Sequence, residues 1–422
     1  MKKISIFSTF YSIDRAYSLA LVVEDQLRMF VENGYDVDLI VTSGFKPDGY
    51  FAHEKVHLKY LTEVPRSNEG ELPPDYEQYV KQCANELRGI LKETEVCITH
   101  DVIYQPAHII FNLAARIIAG ERPNLRWLHW IHSATSPSIR CNTPFVSGII
   151  QQKFPNSFVV YPNSGDIPRV ARNFKYEEDE VKRVHHPTDI PDYLGFHEIS
   201  KKIWKDNELE KADIICTYPI RLDRGKQVEH VIKTIGALHE LGLVAKGIII
   251  DFHSTGGDKV TYRQELKEAA KNWGVEKDII FVSDISKETE YSVPRQVVRD
   301  MMLASNIFML PSTSETYSFI AQEAMICKNF IILNKDFPIM RSIYGDYPLY
   351  RPFSSAINVL DGFDGATHTK YENEKVWYHD LAQNIRYYLE RDQAICLQTL
   401  VRKTRNPNYI FKMQLEPLLY AK

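Results

Sequence analysis

The chain of 422 residues has few of the features that announce a specialised protein. Its six cysteines, at 83, 97, 141, 216, 327 and 396, are scattered without any Cys-x-x-Cys pair. That excludes a disulfide framework and a zinc site, and reads as reduced core thiols of a cytosolic protein. No apolar run approaches the roughly 18 residues that a membrane-spanning helix needs. The start, Met1-Lys-Lys-Ile-Ser-Ile-Phe, lacks the apolar core and small-residue cleavage site of a signal peptide, and reads as a first strand. A net charge of −4 gives no global basic field for nucleic acid or anionic membrane. There is no repeat of solenoid period, no low-complexity segment and no convincing Asp-x-Asp metal motif. Asp36-Val-Asp38 flanks the interior of a strand and reads as structural. Glycine is missing where a phosphate loop would need it, because Thr9 to Tyr17 carries none.

What is present is a periodic α/β pattern. At 44% hydrophobic and 25% charged, the chain is long enough for two cores of ordinary size. Strand-like runs fall at Ile4–Phe10, Val37–Val41, Val96–Thr99, Trp127–Ile131, Phe158–Tyr161 and Val181–Val184. Between the first two, Leu19, Val22, Val23, Leu27, Phe30 and Val31 mark one helical face, and Gly34 is placed to end the helix. Similar faces run through Tyr76 to Leu91 and Ile109 to Ile117. Strand, helix, strand in this order builds a parallel sheet. The rhythm restarts with strands Ile214–Ile220, Lys246–Asp251, Ile279–Val282 and Ile307–Leu310, separated by helices at 228–241, 262–273 and 295–304. Two doubly wound domains are therefore expected, over 1–195 and 196–400, with an interdomain stretch from Pro187 to about Lys205 and a helical segment over 401–422. Pro417 in that last segment implies a kink or an early end.

One stretch carries most of the chemistry: Leu310-Pro-Ser-Thr-Ser-Glu315-Thr-Tyr-Ser-Phe-Ile-Ala-Gln-Glu323. A strand stops at Pro311, a Ser/Thr-rich turn follows, and a helix is expected to open near Ser318 with Glu323 about two turns in. Such a turn points backbone N–H groups and a helix dipole at one spot, a ready anion site. Carboxylates beside a phosphate site repel it unless each binds something neutral, such as sugar hydroxyls. Glu315 and Glu323 in this setting point to a nucleotide-sugar. Upstream, Arg221-Leu-Asp-Arg-Gly-Lys226 follows a strand and offers cations for a diphosphate. His132, at the end of another strand, sits where ligands of open α/β sheets bind.

The Glu315-to-Glu323 run, preceded by Pro-Ser, resembles the E-x7-E motif of retaining glycosyltransferases with the GT-B fold, family 4 in particular. The likeness extends in order and spacing over roughly Ile214 to Asp346 and is looser in the first half. It implies two Rossmann-like parallel-sheet domains facing a cleft, the first for the acceptor and the second for the donor, with the last helix crossing back to the first domain. By the same resemblance Glu315 meets the donor sugar and Glu323 the ribose. Arg221 and Lys226 clamp the diphosphate, and Gly256 in His253-Ser-Thr-Gly256-Gly257 lies near it. Val282 in Phe281-Val-Ser-Asp-Ile-Ser286 lies where the base meets backbone. Thr316, Tyr317, Ser318 and Phe319 form the turn, with Tyr317-Ser318 in place of the usual Phe-Gly. Thr99-His100-Asp101 resembles the family's His-Asp turn, and His132 the histidine that faces the donor sugar.

The expected activity is retaining, metal-independent transfer of a hexosyl or pentosyl group from a UDP-, GDP- or ADP-sugar to a hydroxyl, with no cofactor. The acceptor is open: sugar, lipid, small molecule or modified DNA base. The DNA case draws on Trp127, Trp130, Arg140, Lys153, Arg169, Arg172, Lys175, Lys182 and Arg183 as a patch, with Glu177 to Glu180 intruding. A nucleotide-sugar-binding protein without catalysis, or an epimerase of the same fold, would share the donor features.

Overall fold

The computed structural model describes residues 2–10, 18–67, 70–134, 141, 143–252, 259–286, 289, 292–313, 315–353 and 367–421. Contacts divide the chain into two units, Met1–Pro187 with Pro407–Lys422, and Thr188–Asn406.

The first unit holds seven strands: β1 Ile4–Phe7, β2 Val37–Thr42, β3 Val56–Leu61, β4 Val96–His100, β5 Arg126–Trp130, β6 Ser157–Tyr161 and β7 Val181–Arg183. They form one sheet in the order β3-β2-β1-β4-β5-β6-β7, with every pairing parallel. Its main helices are α1 Ser18–Glu32, α2 Tyr76–Ile90, α3 Ile109–Glu121, α4 Pro144–Ile150 and α5 Ile167–Phe174. The sheet is buried on both faces, which is why its strands read as nearly continuous apolar runs. Successive side chains of β1 divide between them: Ile4 and Ile6 join the core that holds α1, and Phe7 joins the core that holds α2 and α3.

The tail 407–420 completes the α1 side, adding Ile410, Phe411, Leu415, Leu418 and Leu419 to that core. Phe411 meets Phe30 edge to face, with ring centroids 5.6 Å apart. The tail is broken into a short helix, a π turn over Phe411–Leu415 and a last helix, Glu416–Tyr420. Pro417 falls in the first turn of that last piece, where a missing N–H costs least.

The second unit holds β8 Ile214–Arg221, β9 Ala245–Phe252, β10 Ile279–Phe281, β11 Ile307–Leu310, β12 Phe330–Asn334 and β13 Leu349–Arg351. Their order is β10-β9-β8-β11-β12-β13, again wholly parallel. The supporting helices are α6 Ile190–Tyr193, α7 Glu198–Asp206, α8 Val228–Glu240, α9 Lys259–Asn272, α10 Arg295–Ala304, α11 Phe319–Ile326 and α12 Pro338–Tyr344, followed by Thr367–Leu389 and Gln393–Thr404. From Thr188 on, the stretch expected to join two domains, Pro187 to about Lys205, belongs to this unit. It forms α6 and most of α7, and buries Phe196, Ile203 and Trp204 against Val297 and Met301.

Candidate functional site

The strand-end loops of the second unit gather most of the expected residues. Tyr218, Ile220 and Leu222 anchor the end of β8 in the core, which leaves Arg221 exposed at the strand's last position. Its guanidinium lies 3.9 Å from the Asp223 carboxylate. A single 3-10 turn, Arg224–Lys226, follows and leads into α8 through Gln227 in the left-handed region. The Tyr218 hydroxyl donates to the Lys226 carbonyl at 2.9 Å and holds that turn from beneath. Arg224 does not face the same way as a free cation. It makes two bonds to Glu265, 2.6 and 2.8 Å, and lies over the Tyr262 ring.

Lys226 makes the defining contact. Its ammonium donates to Glu315 Oε1 at 2.5 Å, and both side chains are less than one-fifth exposed. Two loops 89 residues apart in sequence meet there, and their backbones are tied as well. Thr313 N–H donates to the Gly225 carbonyl at 3.0 Å, with Ser312 Oγ at 3.3 Å from the same oxygen. Asn334 at the end of β12 donates to the carbonyls of Pro311 and Ser312, 3.2 Å each, and holds the second loop from its other side.

Beyond Glu315 the turn exposes Thr316, Tyr317 and, most of all, Phe319, whose rings meet edge to face at 5.5 Å. Ser318 caps α11 with φ of +64°, a conformation L-residues avoid, and the Tyr344 hydroxyl donates to the carbonyls of Tyr317 and Ser318. The helix opens at Phe319, so Glu323 lies little more than one turn in, not two. Its carboxylate accepts from Arg295 of α10 at 2.7 Å. It lines a groove of about 390 Å³ with Arg295, Gln296, Arg299, Met302, Ile326 and Cys327. Nothing along the chain marks Arg295 as the partner of Glu323, since an exposed arginine at the head of a helix is commonplace.

Val282 begins a 3-10 turn after β10 and its side chain is fully buried, so only its backbone can face a ligand. Buried Asp251 steadies this turn, accepting from Ser283 N–H at 3.1 Å and Ser283 Oγ at 2.6 Å. Gly256, with 253–258, lies outside the described residues.

The first unit places its own histidines together at the C-terminal ends of its strands. His132 follows β5, His100 ends β4 and His186 follows β7. His132 Nε2 is 3.3 Å from His100 Nδ1, and its ring lies parallel to that of His186 at 6.0 Å. The backbone N–H of His132 donates to Asp101 Oδ1 at 3.2 Å. Burial lowers both His132 and His186 to about 4 and raises the Asp101 carboxyl to about 6. His185 turns the other way and meets Gln414 of the tail. Among the described residues no group of three or more His, Cys, Asp or Glu is placed to hold a metal ion. Asp38 is buried on β2 between Lys3 and Lys59, an internal charge pairing.

Of the surface patch suggested for DNA, Arg172, Lys175 and Arg183 are exposed. Trp127 and Trp130 are core side chains and cannot stack on bases. Lys153 is paired with Glu180, Arg169 with Asp166, and Lys182 lies over Phe158. Arg140 lies outside the described residues. No described helix is long and apolar enough to cross a membrane.

Two parallel Rossmann-like units in one chain, with a charged strand-end loop facing a helix start in the second, have the make-up of the GT-B fold. Residues 200–348 match the family described as glycosyl transferases group 1. By that match the second unit is a group 1 glycosyltransferase domain. Arg221, Lys226, Val282, Glu315 and Glu323 lie inside it, while His132 lies outside. No curated protein sequence matches the chain.

Among solved structures the chain is similar to Anabaena Alr3699/HepE in complex with UDP, at 14% identity over 99% of each chain and a TM-score of 0.33. It is also similar to a glycosyltransferase from Rickettsia africae ESF-5, at 14% identity, 100% and 99% coverage and a TM-score of 0.36. A third likeness is sucrose-phosphate synthase from Thermosynechococcus elongatus, at 14% identity, 94% and 97% coverage and a TM-score of 0.31.

Proposed function

We propose that the protein is a retaining, metal-independent glycosyltransferase that moves a sugar from a nucleoside-diphosphate sugar to a hydroxyl acceptor. The observation that supports this most is the Lys226–Glu315 pair, held by the Gly225–Thr313 tie at the foot of α11. A lysine and a carboxylate kept together on a rigid backbone suit a donor that is anionic at one end and hydroxylated at the other.

In this reading Arg221 and Lys226 take the diphosphate, with Phe319 and its neighbours offering the first N–H groups of α11. As the sugar–oxygen bond breaks, negative charge grows on the departing phosphate, and cations fixed in advance stabilise it without reorganising. The leaving phosphate can itself take the acceptor proton from the same face, so no separate base is required. Glu315 binds hydroxyls of the transferring sugar, Glu323 those of the ribose, and the Val282 turn offers backbone to the base. The first unit is assigned the acceptor.

The test is turnover with UDP-, GDP- and ADP-sugars, with the anomeric configuration of the product read by NMR. Retained configuration with undiminished rate after thorough chelation is expected. Inversion, or a rate that Mg²⁺ or Mn²⁺ alone restores, contradicts the proposal.

A further inference from the structure

His132 does not stand alone in the first unit. His100 Nδ1 lies 3.3 Å from His132 Nε2, and on its other side His100 Nε2 lies 3.0 Å from Gln26 Oε1. Gln26 comes from the middle of α1, and both it and His100 are 2% exposed. The three side chains therefore form a line from the helix layer, through the end of β4, to the loop after β5. Nothing else among the described residues bonds to the His132 ring nitrogens, and Nδ1 is the atom left at the open end of the line.

The direction of the hydrogens along this line follows from simple valence. A neutral imidazole has one N–H and one lone pair. Gln26 presents its carbonyl oxygen, which can only accept, so His100 must carry its hydrogen on Nε2. His100 Nδ1 is then a lone pair, and the contact to His132 requires the hydrogen on His132 Nε2. His132 Nδ1 is left as a lone pair. Burial keeps both rings neutral at ordinary pH, since His132 falls to about 4 and His100 well below its usual value. His186 stacks on the face of His132 and fixes its plane without taking a ring nitrogen.

We propose that Gln26 and His100 are positioning residues which fix His132 as its Nε2–H tautomer and so present Nδ1 as a hydrogen-bond acceptor to a substrate hydroxyl. This rests on reading His132 as part of the sugar-transfer machinery. The orientation of one buried amide decides the outcome. Were the Gln26 amide turned round, its N–H₂ would donate to His100, every bond in the line would reverse, and His132 would offer an N–H. A donor there suits an anion or a carbonyl, while an acceptor suits a hydroxyl. The Gln26 amide nitrogen makes no bond in its buried site, so the ring tautomer read from the spectrum also decides which way this amide is turned.

The experiment is a long-range ¹H–¹⁵N correlation spectrum of the full chain with ¹⁵N-labelled histidine, His132 being assigned by comparison with His132→Gln. At neutral pH the wild type should show His132 protonated on Nε2 alone. Gln26→Met, close in size but unable to accept from His100, and His100→Phe, which keeps a ring and removes both nitrogens, should each populate the Nδ1–H form. Transfer should fall by about tenfold in kcat/KM in both, the scale of one hydrogen bond. His132 protonated on Nδ1 in the wild type overturns the relay, as does an unchanged tautomer in both variants. The two readings fail separately. The expected tautomer in a protein that turns over no nucleotide sugar leaves the relay standing and removes the functional assignment, while an Nδ1–H tautomer in an active enzyme removes only the relay.

Discussion

At the scale of single residues, Glu315 has two jobs that pull apart under substitution. It restrains Lys226 and, in the proposed function, holds the transferring sugar. Glu315→Gln keeps the size and loses the charge, so kcat should fall while free nucleoside diphosphate binds at least as well, because a repelling carboxylate has left the phosphate site. Glu323→Gln should act on KM for the donor with little change in kcat, since ribose contacts are the same in ground and transition states. Steady-state kinetics on the two variants decide between these roles, and the reverse pattern means that the two carboxylates have been exchanged. Ser318 supplies a second test. Its φ of +64° is poor for any side chain and worst for a branched one. Ser318→Val should cost about 1–2 kcal/mol, seen as a lowered Tm, and Ser318→Gly should cost nothing. Equal tolerance of both would mean that this backbone relaxes readily.

At the scale of elements, the strands that were legible are buried on both faces, because burial makes them continuous apolar runs, although β12, Phe330–Asn334, is buried alike and was not among them. β3, Val56-His-Leu-Lys-Tyr-Leu61, escaped notice because it is the edge of its sheet, pairing with β2 alone, and carries polar residues on its open side. β13 is three residues long and half-buried, too short for any periodicity. The turn-to-helix motif was legible because its residues are consecutive. The contacts of the site were not, because they join segments far apart: Lys226 to Glu315, Glu323 to Arg295, and His132 to Gln26 through His100. Spacing along the chain holds no record of which loops the sheet order sets side by side. The tie between the β8 and β11 loops can be cut at one backbone donor. Thr313→Pro removes the N–H that bonds to Gly225 and should weaken nucleoside diphosphate binding by about 0.5–1.5 kcal/mol, the net scale of one hydrogen bond. Titration calorimetry measures it, and unchanged affinity would show that Lys226 needs no such support.

At the scale of the whole molecule, stability should depend on pH in a direction set by buried histidines. His108, His132 and His186 are each lowered by burial to about 4. Between that value and the ordinary histidine value of about 6.5, the unfolded chain binds protons that the folded protein refuses, so stability rises with pH across this window. Asp101, raised to about 6 by burial, acts in the opposite sense between about 4 and 6, because there the folded state holds the extra proton. His100, His129 and His230 are lowered by burial as well, so six groups outweigh one and Tm should climb from pH 4 to 6.5 and then level. His186→Asn should make that climb shallower, and a flat profile in the wild type would mean that these rings titrate normally.

The central claim is that the loop holding Lys226 binds a donor's diphosphate. Calorimetric titration of wild type and Lys226→Ala with UDP, GDP and ADP, and with the matching nucleosides, tests it most directly. At least one diphosphate should bind the wild type. Lys226→Ala should weaken that diphosphate by about 1.5–3 kcal/mol, the scale of a charged hydrogen bond, and leave its nucleoside unchanged. Equal losses for nucleoside and diphosphate, or no loss for either, would contradict the claim and place the anion elsewhere.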